Sequence, residues 1–258
     1  MLKEEKKFND SDLLEGMPSI SALIKGIENQ TNTRRILKIL FDQNKLKSKH
    51  AELHFLEIKA KALNFDIQLV SSETIDTITI GNTHGGIVAE CTPRKLPILK
   101  EDMIKANGVY FILEGVEDPY NFGYAIRSLY ASGADGLILG ERNWMGAAGV
   151  VARASAGASE QMNLYVDDPN HAVELFRSKG YEIICAGIRD SVSLYEVSLK
   201  KPLLVILGGE KRGISRNLIN ASDKIVRIDY GTNFAGSLST AATAAIFGFE
   251  ILRQNRGT

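Results

Sequence analysis

The segment VYFILEGVEDPYNFGYAIRS, Val109 to Ser128, runs from a strand-like stretch through a glycine-bearing turn into a helix. Its apolar half does not alternate with polar residues, which suits a strand covered on both faces, as in a parallel sheet. Gly115 and the Asp118-Pro119 pair mark the turn, and Asn121, Gly123 and Arg127 stand where the helix opens. The pattern then repeats. GLILG, NLYV, YEIICAG, LLVILGG and KIVRIDY read as further buried strands, separated by the helix-like NFGYAIRSLYAS, GAAGVVARASAGAS, PNHAVELFRSKG, GISRNLINAS and SLSTAATAAIFGFEILRQ. This alternation predicts an α/β fold with an open, mostly parallel sheet and helices on both faces. Ligands of such sheets sit beyond the carboxyl ends of the strands.

Upstream, the periods change on a smaller scale. ISALIKGIENQ has helical spacing, RRILKILFD reads as a strand, KSKHAELHFLEIKAKALN as a lysine-studded helix, and FDIQLVS as a second strand. GNTHGGIVAEC is a glycine-punctuated turn into a short strand. The expected division is a flexible terminus over 1–17, a small α/β domain over 18–96, a proline-bearing linker over 97–106 and the larger domain over 107–258.

Balanced charge, 31 basic against 31 acidic residues, removes any global attraction to polyanions or acidic membranes. A partner of that kind needs a local patch. The stretch from Arg34 to Lys61 supplies one, with Arg34, Arg35, Lys47 and Lys49 as candidate contacts; a solvated helix face is the competing interpretation. Cys91 and Cys185 lie far apart in apolar runs, so buried, reduced thiols are expected. The opening MLKEEKKFNDSD is charged, and no run approaches the roughly 20 apolar residues that span a bilayer. A cytoplasmic protein without a membrane segment is expected.

Familiar nucleotide and hydrolase signatures are missing: there is no GxGxxG opening a helix, no GxxxxGK[ST] and no GxSxG. His50 and His54 share a helix face, but HAELH lacks the glutamate next to the first histidine of a zinc-protease helix, and no metal site is expected. What remains are three polar, glycine-bearing loops, each placed after a strand and before a helix: EGVEDPYNFGYAIRS, LGGEKRGIS and DYGTNFAGSLST.

These loops resemble, in order, the three motifs of the SpoU/TrmH family of RNA ribose 2′-O-methyltransferases, in the SPOUT superfamily. Asn121, Gly123 and Arg127 match the first motif; Gly208, Glu210 and Gly213 match the second; Ile228, Ser237 and Leu238 match the third. RASAGAS, 153–159, resembles the small-residue helix between the first two motifs, and HGGIVAE resembles the close of the family's substrate-binding domain. Two departures stand out: Ser239 replaces the customary Asn after Ser-Leu, and the loop before Ser237 is one residue longer, with Asp229 in place of proline.

The resemblance implies a deep C-terminal trefoil knot, a homodimer formed through the C-terminal domain, S-adenosylmethionine as methyl donor, and ribosomal or transfer RNA as substrate, with ribosomal RNA slightly favoured. It assigns the cofactor to Gly208, Gly209, Ile228, Ser237 and Leu238, and catalysis to Arg127, Asn121, Glu210 and Ser239. Arg127 matches an arginine often proposed as the base. A guanidinium stays protonated, however, and its planar fork suits a phosphate beside the target ribose. Asn121 is expected to orient Arg127, to cap its own helix, or both. A catalytically impaired RNA-binding protein on the same scaffold is the alternative, favoured by Ser239 and the lengthened loop.

Overall fold

A computed structural model describes residues 13–81, 83–140 and 143–257, and the chain forms two compact units. The first comprises the described residues up to Lys95 together with Trp144–Gln161. Its strands β1 (Leu13–Glu15), β2 (Ile36–Asp42), β3 (Asp66–Val70) and β4 (Ile87–Cys91) are ordered β1-β4-β2-β3. The β2–β3 pair is parallel and the others antiparallel. Helices α1 (Gly16–Glu28), α2 (His50–Leu63) and α3 (Ser72–Ile78) connect them. Ile20, Leu23 and Ile24 recur at helical spacing on α1 and pack against Ile39 and Phe41 of β2 and Leu56 of α2.

Two elements of this unit, β1 and α3, are not announced by the sequence. Of the terminus expected to be flexible, residues 1–12 lie outside the described residues, whereas Leu13–Glu15 pairs with β4. The short helices Ala148–Ala154 and Ala158–Gln161, which carry RASAGAS, belong to this unit even though they lie between two strands of the other. Gly26 and Gly157 permit this packing. A Cβ on Gly26 would lie 2.1 Å from the Glu160 carbonyl oxygen, and one on Gly157 would lie 2.3 Å from the Ala22 Cβ.

The second unit, Leu96–Asn143 with Met162–Thr258, holds the larger sheet. Strands β5 (Val109–Glu114), β6 (Gly136–Leu139), β7 (Leu164–Val166), β8 (Glu182–Ala186), β9 (Val192–Ser193), β10 (Leu203–Gly208) and β11 (Lys224–Arg227) are ordered β7-β6-β5-β10-β8-β11-β9. Every pairing in it is parallel. The helices are α4 (Pro119–Ala131), α5 (Pro169–Ser178), α6 (Arg216–Asn220) and α7 (Thr240–Gln254).

Successive strand residues serve opposite faces. Tyr110 and Ile112 of β5 and Leu204 and Ile206 of β10 meet Phe176 of α5 and Leu218 of α6 on one side. On the other side α4 and α7 pack together, and a Cβ on Gly248 of α7 would lie 2.4 Å from the hydroxyl of Ser132, which caps the end of α4. The segment expected as a linker is partly core: Leu99 and Ile104 are buried, and the Leu99 N–H donates to the Val166 carbonyl at 3.1 Å.

Candidate functional site

Three loops meet beyond the carboxyl ends of β5, β10 and β11, at the start of α7. The first N–H groups of any helix lack intrahelical acceptors, and here each loop supplies one. Glu210 Oε1, from the loop after β10, accepts the Thr240 N–H at 2.8 Å. Asn121 Oδ1, at the start of α4, accepts the Ala241 N–H at 3.1 Å. Ser239 Oγ accepts the Ala242 N–H at 3.2 Å. The Asn121 side-chain amide also donates to Glu210 Oε1, and the Thr240 hydroxyl donates to the Gly208 carbonyl at 2.9 Å.

The structure thus assigns Asn121 partners that the sequence did not suggest. Its own helix is capped by Asp118, whose Oδ2 accepts the Asn121 N–H at 2.8 Å, with Pro119 in the first turn. Its side chain caps a different helix and makes no bond to Arg127. Burial alone would raise the Glu210 carboxyl, but the hydrogen bonds from Thr240 and Asn121 outweigh it and hold the pKa below the usual carboxylate range.

Glycine is required where the loops approach. A Cβ on Gly209 would lie 2.0 Å from the Gly115 carbonyl oxygen, and one on Gly208 would lie 2.6 Å from the Gly213 carbonyl carbon. Gly115 and Gly213 have φ of 72° and 64°, in the region that favours glycine.

Beside this junction lies a cleft of about 340 Å³, lined by Gly208, Gly209, Glu210, Ile228, Ser237 and Leu238 among others. Every residue expected to hold the cofactor therefore borders one cavity. Ile214, Val226 and Phe247 add apolar walls, and Arg189 and Tyr230 contribute polar groups. The volume and the mostly apolar lining fit a small organic molecule. An adenosyl group is compatible with it: apolar walls suit the ring, and the close glycines leave backbone groups accessible. Tyr230 and Thr240 were missed, since an aromatic in a loop and a threonine opening a helix carry no special pattern.

Arg127 is exposed on α4 and makes no hydrogen bond or ion pair among the described residues. Ser239 is also exposed. Among the described residues no cluster of His, Cys, Asp and Glu could hold a metal ion, and no helix is long and apolar enough to cross a membrane. Cys91 and Cys185 are both buried, and burial pushes the Cys185 pKa up to about 11.

One basic candidate in the first unit must be corrected. Arg34 is only 2% exposed; its Nε lies 3.1 Å from Glu160 Oε2, and its Nη1 donates to the Thr92 carbonyl at 2.8 Å. Enclosed and ion-paired, it is part of the interior and cannot contact RNA. The local charge count could not reveal this, because Glu160 lies 126 residues away. Arg35 and Lys47 are exposed, while half-buried Lys49 pairs with Glu52 at 3.2 Å.

Comparison with known proteins matches residues 108–249 to the SpoU rRNA Methylase family and residues 13–97 to the RNA 2′-O ribose methyltransferase substrate-binding family. The chain belongs to the SpoU rRNA methylase family. It is an RNA 2′-O-methyltransferase that uses S-adenosylmethionine. A 23S rRNA (guanosine-2′-O-)-methyltransferase RlmB from Shewanella oneidensis is 29% identical, over 95% of this chain and 98% of its own. The AdoMet-bound rRNA methyltransferase of Sinorhizobium meliloti superposes with a TM-score of 0.76 at 20% identity, covering 99% of this chain and 91% of that one. The SpoU methyltransferase AviRb of Streptomyces viridochromogenes, with AdoMet, gives a TM-score of 0.76 at 20% identity, over 95% and 90%. These two likenesses extend the SpoU fold across both units.

Proposed function

We propose that this enzyme methylates the 2′-hydroxyl of a guanosine in large-subunit ribosomal RNA. The substrate class is supported by RlmB, whose name states that reaction and whose whole length this chain matches. The site assignment rests on one observation: Asn121, Glu210 and the first turn of α7 are joined by hydrogen bonds beside the cleft that Gly208, Ile228 and Leu238 line.

When bound, the cofactor would supply a methyl group carried on its sulfonium sulfur, which leaves as a neutral thioether when the ribose oxygen displaces it in line. The remaining work is positioning. Gly208, Gly209, Ile228, Ser237 and Leu238 hold the cofactor through backbone groups and apolar walls. Glu210 and Asn121 keep the third loop in register, and Ser239 secures the start of α7. Arg127, exposed and unpaired among the described residues, grips the phosphate beside the target ribose and stabilises the developing alkoxide, while that phosphate or a water takes the proton. Arg35 and Lys47 offer the RNA exposed charge, with Lys49 beside them. The domain division 18–96 and 107–258 is retained as the functional one, a substrate-holding part and a methyl-transferring part.

Two architectural features complete the proposal. A C-terminal knot is supported by the chain path: β11 joins the sheet next to β8, and α7 then crosses back to pack on α4 near β5. A homodimer through the C-terminal unit is supported by exposed Tyr124 and Tyr130 on α4 and exposed Phe249 on α7. A cytoplasmic location accords with a ribosomal RNA substrate.

Calorimetric titration of S-adenosylmethionine tests the site. Micromolar binding that weakens at least tenfold in Glu210→Ala is expected; absence of binding at millimolar cofactor would favour an RNA-binding protein without catalysis.

A further inference from the structure

The third loop closes on itself across the cleft. Residues 231–237 are all exposed, whereas Tyr230 before them and Leu238 after them are half-buried and line the cleft. The Leu238 N–H donates to the Tyr230 hydroxyl at 3.2 Å. The Tyr230 ring lies 5.7 Å from the ring of Phe234, at an interplanar angle of 53°. Phe234 folds back over Gly236, where a Cβ would lie 2.5 Å from its Cζ. A loop otherwise bathed in solvent is thus gathered by the Leu238–Tyr230 hydrogen bond, a second from the Phe234 N–H to the Thr232 carbonyl at 2.9 Å, and one aromatic pair. A half-buried N–H needs an acceptor, and the phenol oxygen is that acceptor.

We propose that Tyr230 is an internal stand-in for the cofactor: its hydroxyl holds the Leu238 amide until the adenosyl group takes that amide, and then it yields. The proposal rests on the reading of Leu238 as a cofactor-holding residue. The loop then keeps its bound shape before the cofactor arrives. The cofactor must in turn displace an existing bond, which lowers its apparent affinity by the population of the closed loop. Tyr230 is accordingly a positioning residue that sets cofactor exchange, and Phe234 steadies its ring.

The test titrates S-adenosylmethionine into the full chain and into Tyr230→Phe by calorimetry, and follows exchange of the Leu238 amide by NMR. The variant is expected to bind the cofactor about 3- to 10-fold more tightly, the worth of one net hydrogen bond. Its Leu238 amide should exchange faster without cofactor and equally slowly with it. Phe234→Ala, which keeps the hydroxyl but removes its support, should shift both readouts in the same direction by less. Equal or weaker affinity in Tyr230→Phe, or unchanged exchange, overturns the proposal. A wild-type chain that binds no cofactor overturns the cofactor-site reading instead.

Discussion

Asn121 and Glu210, 89 residues apart in sequence, share a hydrogen bond, and each also accepts an N–H from the first turn of α7. This links the first and second loops to the helix that follows the third. Asn121→Asp replaces the donor with a second carboxylate facing Glu210, and like charges at this range disfavour joint ionisation. The variant should melt below wild type at pH 7, and the gap should narrow as pH falls and one carboxyl takes a proton. Thermal melts between pH 5 and 8 measure it.

Glu210 carries its own pH signature. Its carboxyl is held below the ordinary value in the folded chain, so its stabilising contribution is complete above the unfolded value of about 4.3. The contribution fades as pH falls through the lowered folded value. Glu210→Gln, which has no carboxyl to titrate, should be less stable than wild type at neutral pH and lose less stability on acidification. Denaturant unfolding over the acid range gives the two slopes.

Arg34 and its exposed neighbours should separate cleanly. Arg34→Ala removes the ion-pair partner of Glu160, itself fully buried, and breaking a buried pair costs about 3–5 kcal/mol. That loss should appear in unfolding experiments. Arg35→Ala with Lys47→Ala should leave stability within about 0.5 kcal/mol, since both are surface changes. This double variant should weaken RNA binding and flatten its salt dependence, by about one unit of slope for each phosphate that the side chains no longer neutralise.

Much of this organisation is legible in the sequence. The unbroken apolar runs of β5, β8 and β10 announce strands covered on both faces, whereas Asp118-Pro119, expected as turn, already caps and opens α4. The glycines of the second loop mark where backbones nearly touch. Other features were hidden for physical reasons. β1 has three residues, and α3 buries only Ile75, so neither shows a period. The packing of Trp144–Gln161 with the first unit depends on Gly26, Gly157 and the Arg34–Glu160 pair, all distant in sequence. Asn121 as a cap for α7 was equally invisible, because spacing rules describe a residue's own helix and not one that begins more than a hundred residues later.

Arg127 tests the proposed handling of the RNA. Lysine keeps the charge and loses the planar two-point grip, so Arg127→Lys should lower kcat/KM about 10- to 100-fold, the worth of one charge-assisted hydrogen bond. Cofactor affinity should not change. Near-normal turnover in this variant would remove the two-point grip from the account.

The most direct measurement is methyl transfer itself. The full chain is incubated with methyl-labelled S-adenosylmethionine and large-subunit ribosomal RNA from cells lacking the gene, and 2′-O-methyl positions are mapped. The account predicts label on the ribose of one guanosine, abolished or strongly reduced in Asn121→Ala. Label on a base, or no transfer by a chain that binds the cofactor, would contradict it.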